Sequence, residues 1–438
     1  MSKKIVVLLF SVICLLQSCN TTEPPPPDEK LTLTLTLEDA SSIEAWIKLT
    51  TTNLQLPTTV TLKRNNTVTQ DIILSYADTV IYIDSLLPNQ QYTFQAAIQP
   101  SSHTGEVKSN VISVTTMDTT SHNFTWQTWT FGEHSSSVLR DIAIIAPDNI
   151  WAVGEIYMND SLGQPDPHAY NAVHWDGNEW KLLRIMFYSI CGHQTRVPYP
   201  ASAVFAFDEN DVWIAMDGDQ VARINGTTQV ETHCMPVSFS IKKMWGSSSN
   251  NLYAVGSNGT IIWYNGAGWW RILSGIELNI YDIWGQQTKN GEYEILCVAS
   301  TLSINQGKKV LQITGTNVKQ INDVGLPWSL RTVWFITGRN YLIGGDGLYY
   351  AKHLGEDWIR DYTMPPYYKT GIRGNGFNDI VMVGTFGLLM HFDGFSWKSY
   401  NYLPYFSGSY VEVKIKGDVI ACTGGLNDGQ AIITIGRR

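Results

Sequence analysis

Thiol and imidazole side chains occur at three places in the middle of this chain: His168, the pair Cys191 and His193, and the pair His233 and Cys234. Sulfur and imidazole nitrogen together could bind a soft metal ion, but the spacing matches no recognised metal motif. A disulfide between Cys191 and Cys234, formed in an oxidising compartment, is the favoured interpretation, and two unlinked thiols come next. We therefore predict no metal and no cofactor.

Aromatic side chains form a second group with a capacity for binding. They cluster with prolines in two short segments, and flat rings at an exposed rim stack well on sugars or on partner side chains. The alternative is that these rings cover a neighbouring domain or fill gaps between structural elements. The residues are Tyr367, Tyr368, Tyr400, Tyr402, Tyr405 and Phe406.

The thiol of Cys19 belongs to an export signal. A positively charged start precedes an apolar run, residues 5–16, which is too short to span a bilayer as a helix of about 20 residues. The motif Leu16-Gln17-Ser18-Cys19 resembles the lipobox of bacterial lipoproteins in a Bacteroidetes-like version. The resemblance implies a signal peptide over residues 1–18 and a lipid anchor at Cys19. An ordinary secretory signal with a chance cysteine is the alternative.

The residues after Cys19 are typical of a tether. Residues 19–30 contain four consecutive prolines, which favour an extended, semi-rigid spacer. Asn20, directly after the cysteine, resembles an outer-membrane address more than an inner-membrane retention signal. The implied location is the cell envelope, either exposed at the surface or facing the periplasm.

The composition favours an exported all-β protein. The 438 residues include 16 Trp, 21 Tyr and 36 Gly but only 16% charged residues, and large flat side chains with many turn formers favour strands. A net charge of −9 without a basic stripe argues against a nucleic-acid partner. Cys297 and Cys422 lie in apolar, strand-like segments and are expected to be buried.

Residues 31–117 predict a β-sandwich, because short strands alternate at period two between polar turns. The segment from Leu87 to Phe94 resembles the tyrosine corner of fibronectin type III domains. By that resemblance Trp46 is the core aromatic residue and Tyr92 is the corner residue. Such a domain usually acts as a spacer.

From residue 121 onward the chain repeats about every 40 residues, a period typical of propellers. Each repeat has a strand with one large or apolar anchor residue, and several continue into a hairpin with an Asx-Gly turn and a Trp. This gives four strands per repeat, which is one propeller blade. The anchors are Trp151, Trp213, Tyr253, Leu296, Leu342, Val381 and Ile420.

The seventh repeat ends one strand short, while an unassigned strand, residues 124–129, precedes the first repeat. That strand is expected to complete the last blade, because closing the ring removes both exposed edges. Residues 121–438 therefore predict a seven-bladed β-propeller closed by an N-terminal strand. The pattern resembles Trp-rich propellers of exported bacterial proteins, near relatives of sialidase-type and photosystem-assembly-factor-like propellers.

A sialidase on this fold would need three arginines around the channel, an acid and a Tyr–Glu pair. Arg140, Arg331 and Arg373 lie on or near expected inner strands, but the hairpins lack the full Ser-x-Asp-x-Gly-x-x-Trp pattern of that family. We expect these arginines to line the channel, paired with carboxylates such as Asp141. The sequence has no phosphate loop, HExxH helix or nucleophile elbow, and no catalytic residue is predicted.

The first repeat carries an insertion, residues 155–170. In propellers this connection lies on the same face as the links between blades, which would gather His168 near the other two histidines. Asp160 and Asp166 could hold calcium there, although solvated loop acids are the ordinary case.

The sequence thus indicates a lipid-anchored, non-enzymatic protein, expected to be monomeric, that presents a propeller to a protein or glycan. The alternative is a carbohydrate-active enzyme, a glycoside hydrolase or sialidase-like protein, with two close carboxylates at the channel mouth. The candidate binding residues are His168, His193, His233, Tyr367, Tyr368, Tyr402 and Tyr405.

The lipid anchor predicts that Cys19→Ala leaves an unlipidated precursor, because no other cysteine occupies the lipobox. Metabolic labelling with palmitate and membrane fractionation measure this. Cys14→Ala, a control within the same signal, should leave labelling unchanged. Palmitate labelling of the Cys19→Ala protein would contradict the assignment.

Overall fold

The computed structural model describes residues 30–99, 105–301, 307–400, 403 and 407–438. Cys19, the signal peptide and the proline spacer lie outside these residues, as do Tyr402 and Tyr405. The described part is built from strands, with one short 3-10 turn at Ser257–Gly259, and it includes no helix with the length and hydrophobicity that a membrane crossing requires. The chain divides into two compact units.

The first unit contains two antiparallel sheets. Its strands are β1 (Thr32–Ala40), β2 (Ala45–Thr52), β3 (Thr58–Arg64), β4 (Thr67–Leu74), β5 (Asp78–Ile83), β6 (Gln91–Ile98), β7 (Val107–Lys108) and β8 (Ile112–Thr115). One sheet has the order β1-β2-β5, and the other has β4-β3-β6-β7 with β8 also paired to β6. Trp46 is fully buried, which confirms its expected place in the core.

The second unit contains, within the described residues, seven four-stranded antiparallel sheets. The strands of the first three sheets are β10 (Val138–Ala146), β11 (Asn149–Ile156), β12 (Tyr170–Trp175) and β13 (Trp180–Leu183); β16 (Ala201–Asp208), β17 (Asp211–Met216), β18 (Gln220–Asn225) and β19 (Thr228–Cys234); β20 (Ile241–Ser248), β21 (Asn251–Gly256), β22 (Ile261–Tyr264) and β23 (Trp269–Ile272). A small hairpin, β14 (Phe187–Tyr188) and β15 (Arg196–Val197), links the first sheet to the second.

The remaining four sheets follow the same order along the chain. Their strands are β24 (Asn279–Gln287), β25 (Tyr293–Ser300), β26 (Lys308–Thr314) and β27 (Asn317–Ile321); β28 (Leu330–Ile336), β29 (Asn340–Gly345), β30 (Gly347–Ala351) and β31 (Ile359–Arg360); β32 (Lys369–Gly376), β33 (Asp379–Gly384), β34 (Leu389–Phe392) and β35 (Trp397–Ser399); β36 (Gly408–Lys416), β37 (Val419–Leu426), β38 (Ala431–Arg437) and β9 (Thr125–Phe131).

The first strands of the seven sheets, here called the inner strands, contact one another in cyclic order. Each of β10, β16, β20, β24, β28 and β32 contacts the inner strand of the next sheet, and β36 contacts β10 again. Seven hydrophobic clusters, each shared by two adjacent sheets, accompany these contacts. Since burying one large apolar side chain contributes about 1.5–3 kcal/mol, the seams between sheets supply most of the stabilisation.

The last sheet takes its fourth strand from a segment that precedes the first sheet. Strand β9 pairs antiparallel with β38 from Thr125 opposite Arg437 to Phe131 opposite Ala431. The ring of Trp129 packs against Trp175 and Trp180 of the first sheet, with centroid distances of 5.5 and 5.9 Å. The strand therefore pairs with the last sheet and packs against the first.

Aromatic and polar contacts hold the residues that lead into β9. The Tyr400 hydroxyl donates to the carbonyl of His122 at 2.8 Å, and the Tyr400 ring packs against Trp126. Tyr400 is only 1% exposed, which for this ring favours the alternative that it fills a gap between structural elements. It fills the gap beside the closing strand.

The closing strand predicts a stability change that is easily measured. Deleting residues 124–130 removes Trp126 and Trp129 and leaves β38 unpaired. Each lost Trp costs about 3–5 kcal/mol, which for a domain of this size lowers the melting temperature by about 10 °C or more. Calorimetry of the variant measures this shift.

Deleting residues 161–163, at an exposed turn of the first sheet, is the matched control and should shift the melting temperature far less. An unchanged melting temperature in the 124–130 deletion would mean that the ring closes without β9.

Candidate functional site

Every inner strand carries one extra residue near its start. At this point the pairing with the second strand skips one position, which is the signature of a β-bulge. A bulge re-aims the side chain of the extra residue. The seven bulge residues are Arg140, Ser202, Lys242, Tyr281, Arg331, Thr370 and Val411.

All seven bulge residues line one cavity of about 350 Å³, together with Asp217, Lys243, Asn279 and Glu412. Because each of the seven inner strands contributes, the cavity lies on the axis of the ring at the end where these strands begin. We call this cavity the channel mouth. In an antiparallel sheet, the connection between the second and third strands returns to the same end, as do the links between sheets.

A network of buried charges lies at the floor of the channel mouth. The Lys243 ammonium contacts Asp141 at 2.7 Å and Glu412 at 2.5 Å. These residues follow the bulges of the third, first and seventh sheets. Burial alone would lower the pKa of Lys243, but the two carboxylates outweigh it and raise the pKa above its usual value. For Glu412 burial is likewise outweighed, by Lys243 and Arg373, and its pKa falls to about 2.

A second buried pair joins the fourth and sixth sheets. The Arg373 guanidinium donates to both carboxylate oxygens of Asp282, at 2.7 and 3.0 Å, and both side chains are almost fully buried. Asp282 also accepts from the backbone N–H of Val333 on the sheet between them. The pair therefore spans three sheets.

Three cations stand at the rim of the channel mouth. Arg140 pairs with a carboxylate, as expected for the arginines, but that carboxylate is Glu155, at 2.5 Å, whereas Asp141 pairs with Lys243. Lys242 pairs with Asp217 at 3.2 Å. Arg331 forms no ion pair with any described residue, and its guanidinium lies 4.9 Å from the centre of the Tyr281 ring.

The two carboxyl groups that line the channel mouth are both held in the charged form. Burial of Asp217 is outweighed by a hydrogen bond from Ser240 and by Lys242, which lower its pKa, and the pKa of Glu412 is lowered too. Glycoside hydrolysis requires one carboxyl with a raised pKa to protonate the leaving group. Neither Asp217 nor Glu412 has the raised pKa that this general acid requires.

Two exposed rings lie at the same end of the ring as the channel mouth. Tyr367, in the link before the sixth sheet, is 42% exposed and contacts Phe386 at a centroid distance of 5.6 Å. Phe386 is 76% exposed, lies between the second and third strands of that sheet, and has φ 57°. A bulky residue rarely adopts positive φ, and such conformations concentrate at functional sites.

Tyr368 connects this aromatic pair to the channel mouth. Its hydroxyl bonds to Ser329 at 2.8 Å, two residues before Arg331, and its backbone N–H and C=O bond to Thr385, the neighbour of Phe386. Burial raises the pKa of Tyr368, while the hydrogen bond to Ser329 and the Arg331 charge oppose the shift. Tyr368 is half-buried, and its hydrogen bonds hold Ser329 and Thr385 in place.

The three candidate histidines have separate surroundings. His168 and His193 are exposed, whereas His233 bonds to Glu231 at 2.9 Å and stacks on Trp213. No group of three or more potential metal ligands exists among the described residues. The proposed gathering of these histidines therefore yields no metal site in the described chain.

The structure joins Cys191 and Cys234 in a disulfide with an S–S distance of 2.01 Å. It connects the small hairpin β14–β15 to the last strand of the second sheet. Gln220 supports the same hairpin, because its side chain exchanges two hydrogen bonds with the backbone of Tyr188. The link after the first sheet is therefore tightly held.

The insertion of the first sheet is stabilised internally. Asp160 accepts the backbone N–H groups of Leu162 and Gln164. Asp166 accepts from Arg184 at 2.5 Å. Both carboxylates are thus engaged by protein donors, which argues against the calcium interpretation.

Arg140 and Arg331 line the channel mouth, as expected from the sequence, but the ring of bulges was missed, although a signal exists. Two consecutive polar residues interrupt otherwise apolar inner strands, as in Arg140-Asp141, Tyr281-Asp282 and Arg331-Thr332. A bulge explains this pattern. In a regular strand two consecutive side chains point to opposite faces, and the extra residue of a bulge removes that constraint.

No family model and no curated protein matches this chain, whereas solved structures do. A structure titled "YCF48 bound to D1 peptide" matches with 13% identity and a TM-score of 0.50, covering 72% of this chain and 95% of that chain. The WD40 β-propeller domain of Doa1 matches with 13% identity and a TM-score of 0.47, covering 72% and 98%. At this identity the first likeness concerns the fold alone, a β-propeller, and no argument rests on the second.

The network at the floor predicts that Lys243→Met destabilises the protein by about 3–5 kcal/mol. The change leaves the buried Asp141 without an ion-pair partner among the described residues and removes the nearest cation from Glu412. Urea denaturation measures the loss. Lys181→Met is the matched control, since Lys181 forms an exposed pair with Asp176, and the change should cost far less stability because exposed ion pairs are screened by water. Equal losses in the two variants would contradict a buried network.

Proposed function

We propose that this protein is a non-enzymatic binding protein of the cell envelope, in which a seven-bladed β-propeller holds a protein ligand at the channel mouth. Each four-stranded sheet is one blade. The observation that carries the proposal is the cavity of about 350 Å³ to which all seven inner strands contribute a bulge residue. A rigid ring surrounds this cavity, and loops of the same end surround its rim, which is where propellers can vary without losing stability.

The lipid anchor at Cys19 and the sandwich unit belong to the same proposal. An anchor followed by a proline-rich tether keeps a folded domain near the membrane. Two features of the first unit support a fibronectin type III-like spacer: its two antiparallel sheets and the fully buried Trp46 in strand β2. In this arrangement the propeller carries recognition and the preceding residues set its location.

A protein ligand fits the exposed rings better than a glycan. The rings of Tyr367 and Phe386 are tilted by 53°, so they form no flat platform for a sugar ring, and Phe386 offers no hydrogen bond. Together they form an exposed apolar surface suited to an apolar side chain. The solved propeller whose title reports a bound D1 peptide gives this ligand class a precedent.

The test uses the mature chain with Cys19→Ala, purified without lipid, against a random peptide display library and a glycan array. We expect peptides to be selected. For the selected peptides, Tyr367→Ala/Phe386→Ala should weaken binding by about 1–3 kcal/mol, the range of interface hot spots, as measured by surface plasmon resonance.

Trp270→Ala is the matched control, because Trp270 is also an exposed ring, at 58%, but lies on the outer strand of the third sheet. It should leave the affinity unchanged. Selection of glycans alone, or full affinity in the double variant, would contradict the proposal.

A further inference from the structure

One cation at the channel mouth lacks a carboxylate partner in the described part of the chain. Four other cations of the mouth and its floor each lie within 3.2 Å of a carboxylate: Arg140, Lys242, Lys243 and Arg373. Arg331 also lines the cavity, yet among the described residues it has no carboxylate partner. Its guanidinium has five N–H donors in a planar fork that matches a carboxylate.

Tyr281 places a second donor beside Arg331. Its side chain lines the same cavity and is only 9% exposed. The Tyr281 ring lies against the Arg331 guanidinium, and its hydroxyl has no hydrogen-bond partner in the described part of the chain. The cavity therefore offers one cation and one hydroxyl side by side, neither of which is engaged by a described residue.

We propose that Arg331 and Tyr281 form a binding site for a single carboxylate group, carried by a peptide that occupies the channel mouth. This inference rests on the proposed function and specifies its ligand as an acidic peptide. The guanidinium donates two parallel hydrogen bonds to the carboxylate oxygens, and the Tyr281 hydroxyl donates a third. The ligand carboxylate thus supplies the partner that Arg331 lacks among the described residues.

The neighbouring surface favours a peptide as the source of the carboxylate. Tyr368 bonds to Ser329 and to Thr385, so the rings of Tyr367 and Phe386 are held close to Arg331. A peptide can place an acidic group on Arg331 and an apolar side chain against these rings. An acidic sugar could form an ion pair with Arg331 but would leave the two rings exposed to water.

The carboxylate can come from an Asp or Glu side chain or from a peptide C-terminus. Two positional-scanning hexapeptide libraries separate these sources. The first has acetylated N-termini and amidated C-termini, so that only side chains carry carboxylates, and the second has free C-terminal acids. Each fixed position is occupied in turn by Glu, Gln, Asp or Asn, and binding of the unlipidated full chain is measured by fluorescence.

We expect one position to prefer Glu or Asp over Gln or Asn about tenfold or more, or the free-acid library to bind about tenfold more tightly than the amidated one. Arg331→Gln should abolish this preference and not merely reduce all binding. Tyr281→Phe keeps the ring against Arg331 and should reduce the preference about threefold to tenfold. Arg271→Gln, the same change on an exposed residue of the outer strand β23, should leave the preference intact.

Several outcomes overturn the inference. Equal binding of carboxylate and amide peptides would remove the carboxylate site while leaving the proposed peptide function standing. Loss of the preference in Arg271→Gln would mean that the overall positive charge of the protein, and not the Arg331 site, causes the preference. Arg331-dependent binding of polygalacturonate fragments without any peptide binding would contradict both the inference and the proposed function. Thermal melting of each variant confirms that it is folded.

Discussion

The buried charges on the axis of the ring are the constraint on which the channel mouth depends. Lys243 joins Asp141 and Glu412, and Arg373 joins Asp282, so that ion pairs connect sheets that are not neighbours in the ring. Burying such charges is costly unless each is paired and hydrogen-bonded. Once paired, they hold the inner strands in one relative register, because a shift of any strand would separate a buried charge from its partner.

The bulges follow from this arrangement. Each inner strand must direct one residue to the axis and the residue before it to the rim, and an ordinary strand would send these two side chains to opposite faces. The extra residue in each strand removes that conflict. The bulge residues at the rim, such as Arg331 and Tyr281, therefore differ from sheet to sheet while the backbone geometry is the same. A binding site can thus be formed at the rim without any change in the packing between sheets.

The sequence predicts the elements that burial controls and misses those that depend on distant partners. Trp46, Cys297 and Cys422 were expected to be buried and are, because an apolar residue in a strand has few alternatives. Strand β4 has nearly all of its side chains exposed, and its sequence lacks the alternation of apolar and polar residues that marks a strand. The sequence left open whether Tyr400 lies at a rim or in a gap, because the residues that bury it, His122 and Trp126, are distant along the chain. The pairing of Asp141 with Lys243 was missed for the same reason.

If buried charges couple non-adjacent sheets across the channel, a double-mutant cycle on Asp282 and Arg373 will measure that coupling. The free energies of unfolding of Asp282→Asn, Arg373→Met and the double variant are measured in urea. We expect a coupling energy of at least about 1.5 kcal/mol, as found for close, desolvated charge pairs. Strictly additive losses would contradict it, because they would mean that the two side chains stabilise their own sheets independently.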